Sequence, residues 1–225
     1  MAKAERRGLT RGRKKQTRAK RKRHLIVSNG KVTETEYFNF LINEMDVRGS
    51  VRYRHIDGDP LKVAKQVSRE LEPDKKAGKT GEIEELSSAW IVVDSDEFRN
   101  LAKAEREAKA KGVRLAISNP CFEVWLIDHV SPCPETSAST PQCEKRARDL
   151  GVLKSTNPKR SSVSKYKSVN LEVVGGNKDQ ALVNAAIHNS EDKRRAREAN
   201  PDNVASYQVW TDLPDLVDDV FGSGK

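Results

Sequence analysis

Four times in its first 130 residues the chain repeats one arrangement: a short aliphatic run, a turn, then a stretch with apolar residues at helical spacing. The runs are "HLIVSNG" (strand over Leu25–Ser28), "VRYRHID", "SAWIVVDSD" and "VRLAISN". "TETEYFNFLINEM" follows the first, with Tyr37, Phe38, Leu41, Ile42 and Met45 on one helical face. Thr33 and Glu36 have capping-box spacing at its start. "PLKVAKQVSREL" opens on Pro60, "FRNLAKAEREAKAKG" stops at Gly112, and "PCFEVWLIDHV" places Pro120 at an expected first helical position. Parallel strands need long crossovers, and here each crossover is a helix. The alternation therefore predicts a doubly wound α/β fold with right-handed connections.

Beyond these units the signal weakens. "EPDKKAGKTGE" reads as a polar loop after the second helix. From residue 131 the chain predicts a loop, a short helix in "QCEKRARDLG", and an irregular basic stretch. One helix over "KDQALVNAAIHNSEDKRRAREA", a connector and a last helix in "LPDLVDDVF" complete it. We read this part as a helical extension covering the sheet. The resulting division is a basic arm (1–23), an α/β core (24–130) and an extension (131–225). No apolar run approaches the length needed to span a bilayer, and the basic N-terminus lacks the apolar segment of a secretory signal.

Charge is unevenly placed. Of 42 Lys and Arg, twelve fall in residues 1–24, against one of the 33 Asp and Glu, which leaves 30 basic and 32 acidic residues elsewhere. The globular part is thus nearly neutral and the basicity sits in the arm. Arg13, Lys14, Lys15, Arg18, Lys20, Arg21, Lys22 and Arg23 form its densest part. Such an arm neutralises phosphates without reading sequence, which predicts salt-sensitive nucleic-acid binding. A solubilising tail, or one that contacts an acidic protein, has the same composition. Lys165 and Lys167 around Tyr166 match a phosphate-contacting loop with an aromatic for stacking, and equally a charged surface loop. Cys121, Cys133 and Cys143 are odd in number and match no common zinc spacing, so reduced thiols in a cytoplasm are expected.

In an open parallel sheet, ligands bind beyond the carboxyl ends of the strands, where strand order reverses. The predicted exits are Asn29-Gly30, Asp57-Gly58, Asp94-Ser95-Asp96 and Ser118-Asn119. If the first and third strands are neighbours, Asn29 meets the aspartate pair. Asp94 and Asp96 can both reach one hard cation, with water in its remaining positions. The other reading of Asp-x-Asp is a turn or a helix cap.

Three of these stretches, "LIVSNGKVTETEYF", "IVVDSDEF" and "LAISNPCFEVWLIDH", resemble the signature segments of the RloB family, and "NPDN" with "DLPDLV" is a looser match to its C-terminal end. The likeness spans roughly residues 24–220, with "SNPCFEVWL" its most specific piece. It implies a Toprim-like (Rossmann-like), mostly parallel sheet of about four strands, flanked by helices and followed by the helical extension. It also implies a magnesium-dependent nuclease (manganese is an alternative ion) in bacterial antiphage or restriction loci, with an RloA-like ATPase partner. Asp94 and Asp96 match the metal-binding pair of Toprim proteins. The first motif departs: Asn29 precedes Gly30 where Toprim proteins carry Glu, and an amide can ligate a cation but cannot exchange a proton at neutral pH.

Two carboxylates can substitute. Glu34 lies in the first turn of the following helix, where an acid is favourable whatever the function. Glu123 lies among Phe122, Val124, Trp125, Leu126 and Ile127, so it must be paired, hydrogen-bonded or on a metal. Asn119 either joins the site or caps the helix. His129, His188 and Cys121 read as structural. The expectation is a metal-dependent nuclease acting on RNA, including transfer RNA, or on DNA. Its rival is a non-catalytic module that binds nucleic acid or a protein partner. No membrane association is expected, and a homo-oligomer is left open.

Overall fold

The structure, a computed structural model, describes residues 22–80, 86–96, 98–154 and 168–222. The arm positions Arg13, Lys14, Lys15, Arg18, Lys20 and Arg21, and also Lys165 and Lys167, lie outside the described residues. Among the described residues no helix is long and apolar enough to cross a membrane.

The predicted α/β alternation is present: β1 (Arg23–Ser28), α1 (Thr33–Glu44), β2 (Val51–His55), α2 (Pro60–Thr80), β3 (Leu86–Asp94), α3 (Leu101–Ala110), β4 (Arg114–Asn119) and α4 (Glu123–Asp128). The extension supplies α5 (Thr140–Asp149), β5 (Leu153–Lys154), β6 (Ser168–Val169), α6 (Leu171–Val174), α7 (Lys178–His188), α8 (Glu191–Ala199), β7 (Trp210–Thr211) and α9 (Leu213–Phe221). The main sheet has the order β2-β1-β3-β4-β7. Its first four strands are parallel, and β7 closes the edge antiparallel to β4. β1 therefore lies between β2 and β3, and the strand order reverses at the β1/β3 boundary.

The aliphatic strands are continuous because both faces are covered. Along β3, Trp90 and Val92 face a core with α1, α4, α7 and α9. Ile91 and Val93 point the other way, toward Val63 and Val67 of α2 and Leu101 and Ala104 of α3. This period-two division aims successive residues at opposite layers.

Several local expectations differ from the structure. The stretch after Leu71 is helical to Thr80, despite Pro73. Its Lys, Glu and Ala residues are good helix formers that need no buried face. α4 starts at Glu123, with Phe122 as its N-cap, so Pro120 lies ahead of the helix after a cis peptide bond and is not its first residue. The expected single helix over residues 178–199 is two, because the Ser190 side chain accepts from Lys193 N and starts α8 afresh. β7 had no sequence signal: two residues are too few to show a period.

The capping box is also absent. Val32 is the N-cap of α1 and no side chain caps it. Thr33 Oγ1 donates instead to Glu34 Oε2 at 2.8 Å. Glu36 accepts from Val169 N (2.7 Å) and Ser168 Oγ (2.9 Å), which pins β6 to the first turn of α1.

The extension is built into the core. Asp212 accepts from Ile117 N at 2.9 Å, from Trp210 Nε1 at 2.7 Å and from Arg197, whose Nη2 is 2.6 Å away. Arg197 also reaches Glu105 of α3 at 2.6 Å. Inside the other layer, the His188 ring faces Val209 O through Nδ1 (3.0 Å) and Asp128 Oδ2 through Nε2 (2.9 Å). Asp128 is fully buried, and burial raises its carboxyl pKa against the pull of His188. His129 and His188 are thus structural, as the sequence suggests: Tyr37 Oη lies 3.3 Å from His129 Nε2, and His129 Nδ1 lies 2.9 Å from Trp125 O.

Candidate active site at the strand exits

The exits of β1, β3 and β4 surround a cleft of about 250 Å³. Asn29, Gly30 and Lys31 come from the β1–α1 turn, Glu34 from α1, and Asp94 and Asp96 from the end of β3. Cys121 and Glu123 contribute from the β4–α4 junction. The cleft lies at the β1/β3 reversal, where the hydrogen bond from Asn29 N to Val92 O (3.4 Å) brings the two exits together. Asn29, Glu34, Asp94, Asp96 and Glu123 are therefore brought together from three strand exits.

Glu34 is only 2% exposed, and its carboxylate rests against Gly30. A Cβ added at Gly30 would fall inside that carboxylate. Gly30 therefore leaves room for that carboxylate in its present position, and the "NG" pair, which sequence reading treats as a turn, also seats an acid. The Glu34 carboxylate thus lies beside the residue that departs from the Toprim pattern.

Glu123 is 8% exposed and its carboxyl pKa is pushed up to about 7. Burial is the main cause; the Cys121 hydrogen bond opposes it, while the Glu34 and Glu144 carboxylates add to it. Cys121 accounts for part of this environment. A hydrogen bond with Cys143 favours its thiolate, but burial and the Glu123 and Asp94 charges keep the thiol well above its ordinary value. All three cysteines are free and buried, and the neighbouring Cys121 and Cys133 thiols, with burial, push the Cys143 pKa up. Their sequence spacing gave no sign of this convergence.

The far wall was not foreseen. Thr140 and Glu144, on the first two turns of α5, line the same cleft. The Thr140 hydroxyl donates to Asp96 Oδ2, and Glu144 is 3.5 Å from Arg148 one turn on. Neither residue stands in a recognisable motif; only the fold brings α5 to the strand exits.

Asn119 is used for structure. Its Oδ1 accepts from Ser95 Oγ (2.9 Å), and its Nδ2 donates to Val204 O (2.8 Å) and Tyr207 O (2.9 Å). It ties the β3 exit to the 3-10 turn Val204–Tyr207 and does not line the cleft.

The cleft offers carboxylate oxygens and the Asn29 amide, a donor set suited to a hard divalent cation. Among the described residues no three His, Cys, Asp or Glu side chains are gathered into a metal-binding cluster; the acids line the walls apart. Their chemistry fits magnesium or manganese, and Asp94 and Asp96, with Asn29, are the residues that would hold the ion.

Residues 24–220 match the family model described as RloB-like protein. The chain belongs to the RloB family. The match covers β1 through α9, so the arm lies outside it while both the cleft and the extension lie within. No match was found among curated proteins or among solved structures.

Proposed function

We propose that this RloB-family protein is a metal-dependent nuclease that hydrolyses phosphodiester bonds of RNA, including transfer RNA, or of DNA. In this reading it is a cytoplasmic effector of bacterial antiphage defence, working with an RloA-like ATPase. The observation that carries the chemistry is the gathering of Glu34, Asp94, Asp96, Glu123 and Glu144 around one cleft at the sheet's reversal point. That many acids repel one another unless a cation or a proton intervenes. When bound at Asp94 and Asp96, magnesium supplies positive charge to polarise a phosphodiester and to lower the pKa of a water.

The chain's own groups then divide the remaining work. Glu34, held by Thr33 Oγ1 and seated on Gly30, takes the base position that Asn29 cannot fill. Glu123, which keeps its proton up to about pH 7, can release it to the departing oxygen. Thr140 fixes one oxygen of Asp96, and Lys31 brings the cleft a positive charge for the phosphate.

Asn29 favours a second reading, a module that binds nucleic acid or its partner without cutting. One assay separates the two. Purified protein is incubated with labelled transfer RNA, single-stranded RNA and plasmid DNA in magnesium, manganese or EDTA, beside Asp94→Ala and Asp96→Ala. Metal-dependent cleavage lost in both variants is the expected result. Binding without cleavage, unchanged in the variants and with the ATPase added, would leave the module.

A further inference from the structure

A second cleft, of about 130 Å³, lies at the opposite end of β1. Arg23 and Leu25 line it from the start of β1, Arg48 from the turn before β2, and Arg52 from β2 itself. The turn is held firmly: His24 N donates to Ser50 O at 2.7 Å, and Ser50 N and Val51 N both donate to Val47 O at 2.9 Å. Three arginines thus line one small depression. Arg48 has Asp46 at 3.8 Å, but both side chains are well exposed (70% and 90%), and such a pair contributes little. Burial lowers the pKa of the neighbouring His24, so the positive charge there comes from the arginines.

The two clefts at the ends of β1 are therefore of opposite charge. One end carries Arg23, Arg48 and Arg52; the other carries the five acids of the catalytic cleft against Lys31. Lys22, the first described residue, precedes Arg23 at this same end. A polyanion is repelled by the acid cleft and attracted to the opposite end.

We propose that Arg48 and Arg52, together with Arg23, form an anchor for the phosphate backbone of nucleic acid, set apart from the cleft that cuts it. This rests on the nucleic-acid reading above. Planar guanidinium forks suit phosphate oxygens better than an ammonium point charge does. β1 has six residues, so at roughly 3.3 Å each the anchor and the cleft are separated by about 20 Å or more. At about 3.4 Å per nucleotide along a duplex strand, one molecule engaging both must extend about six nucleotides from the cut. The substrate is thus a chain, not a dinucleotide or a free nucleotide.

The test uses the full-length protein and fluorescence anisotropy in EDTA, with single-stranded RNA and duplex DNA of about 30 nucleotides, titrated with salt. Arg48→Ala/Arg52→Ala is expected to weaken binding to either polymer. It should also reduce the slope of log K against log salt by about 1.8 on duplex or about 1.4 on single strands, the loss of two phosphate contacts. Arg48→Lys/Arg52→Lys should keep the slope, and Arg106→Ala, on the exposed face of α3, should change nothing. An unchanged slope in the double alanine variant overturns the anchor. So does loss of polyglutamate binding with oligonucleotide binding intact, which would assign the surface to an acidic protein. Failure of every form to cleave, with the salt slopes as expected, would count against the nuclease reading alone.

Discussion

The carboxylate of Glu34 occupies the space in which a side chain at position 30 would lie. The two residues are four apart in sequence and belong to a loop and a helix, yet a side chain added at position 30 must displace the Glu34 carboxylate. Gly30→Ala should therefore destabilise the protein by overpacking, by about 1–3 kcal/mol. In a Glu34→Ala background the same change should cost close to nothing. Urea unfolding of the four proteins in that cycle reads the coupling directly; equal costs in both backgrounds would show that the clash relaxes elsewhere.

The same contact predicts which acid serves the first strand. Glu34→Gln should lower the metal-dependent cleavage rate by about 10²–10⁴, the usual contribution of a positioned acid or base. Asn29→Glu alone should change the rate little, because a carboxylate is already seated beside it. In the Glu34→Gln protein, Asn29→Glu should restore part of the loss. Single-turnover rates on the best substrate decide it, and a large gain from Asn29→Glu alone would show that Glu34 does not fill the role.

Glu123 makes stability depend on pH. Its folded pKa, about 7, lies above the ordinary value of 4.5, so the fold holds the proton more tightly than the unfolded chain does. The resulting stabilisation is complete below about pH 4.5 and is lost as pH rises through 7. It amounts to on the order of 3 kcal/mol, from about 1.4 kcal/mol per pKa unit. The difference in unfolding free energy between the native protein and Glu123→Gln should fall across that window. A difference independent of pH would place the Glu123 pKa near its ordinary value.

Removing His188 should be costly. His188→Ala leaves the fully buried Asp128 with the Cys133 amide, 3.0 Å from Oδ1, but without the imidazole that faces both of its oxygens. Breaking a buried pair on one side costs about 3–5 kcal/mol. His188→Ala/Asp128→Asn should recover much of that, as judged by thermal unfolding.

Asn119→Ala should separate stability from chemistry. It removes the donor to Val204 O and Tyr207 O and the acceptor for Ser95 Oγ, at a cost of about 1–3 kcal/mol. Cleavage per folded molecule should stay within a few-fold of the native rate, because the amide does not line the cleft.

The four βα units could be read from the sequence because β1, β3 and β4 are continuous aliphatic runs, β2 alternates at the sheet edge, and the helices between them carry apolar residues at helical spacing. Asp94 and Asp96 could be named because they follow a buried strand, Glu123 because a carboxylate among apolar neighbours needs a partner, and Glu34 because it is the nearest acid after Asn29-Gly30. Thr140 and Glu144 could not be found this way. They are ordinary polar residues on a helix, and only long-range packing aims them at Asp96. The capping box failed because the helix begins at Thr33 itself, with Val32 as N-cap, and the Thr33 hydroxyl donates to the neighbouring Glu34 carboxylate. Asp128 and His188 lie sixty residues apart, a separation that no local pattern spans.

The late position of α5 and β7 in the chain bears on synthesis. When β4 has just been synthesised, Asp94 and Asp96 already exist but Thr140 does not, and β4 has an open edge until Trp210 and Thr211 follow. A growing chain thus carries the acids of the cleft well before it carries the wall that orients them. Thr140 follows Asp96 by 44 residues, so the hydroxyl that orients this acid joins it only once α5 has docked.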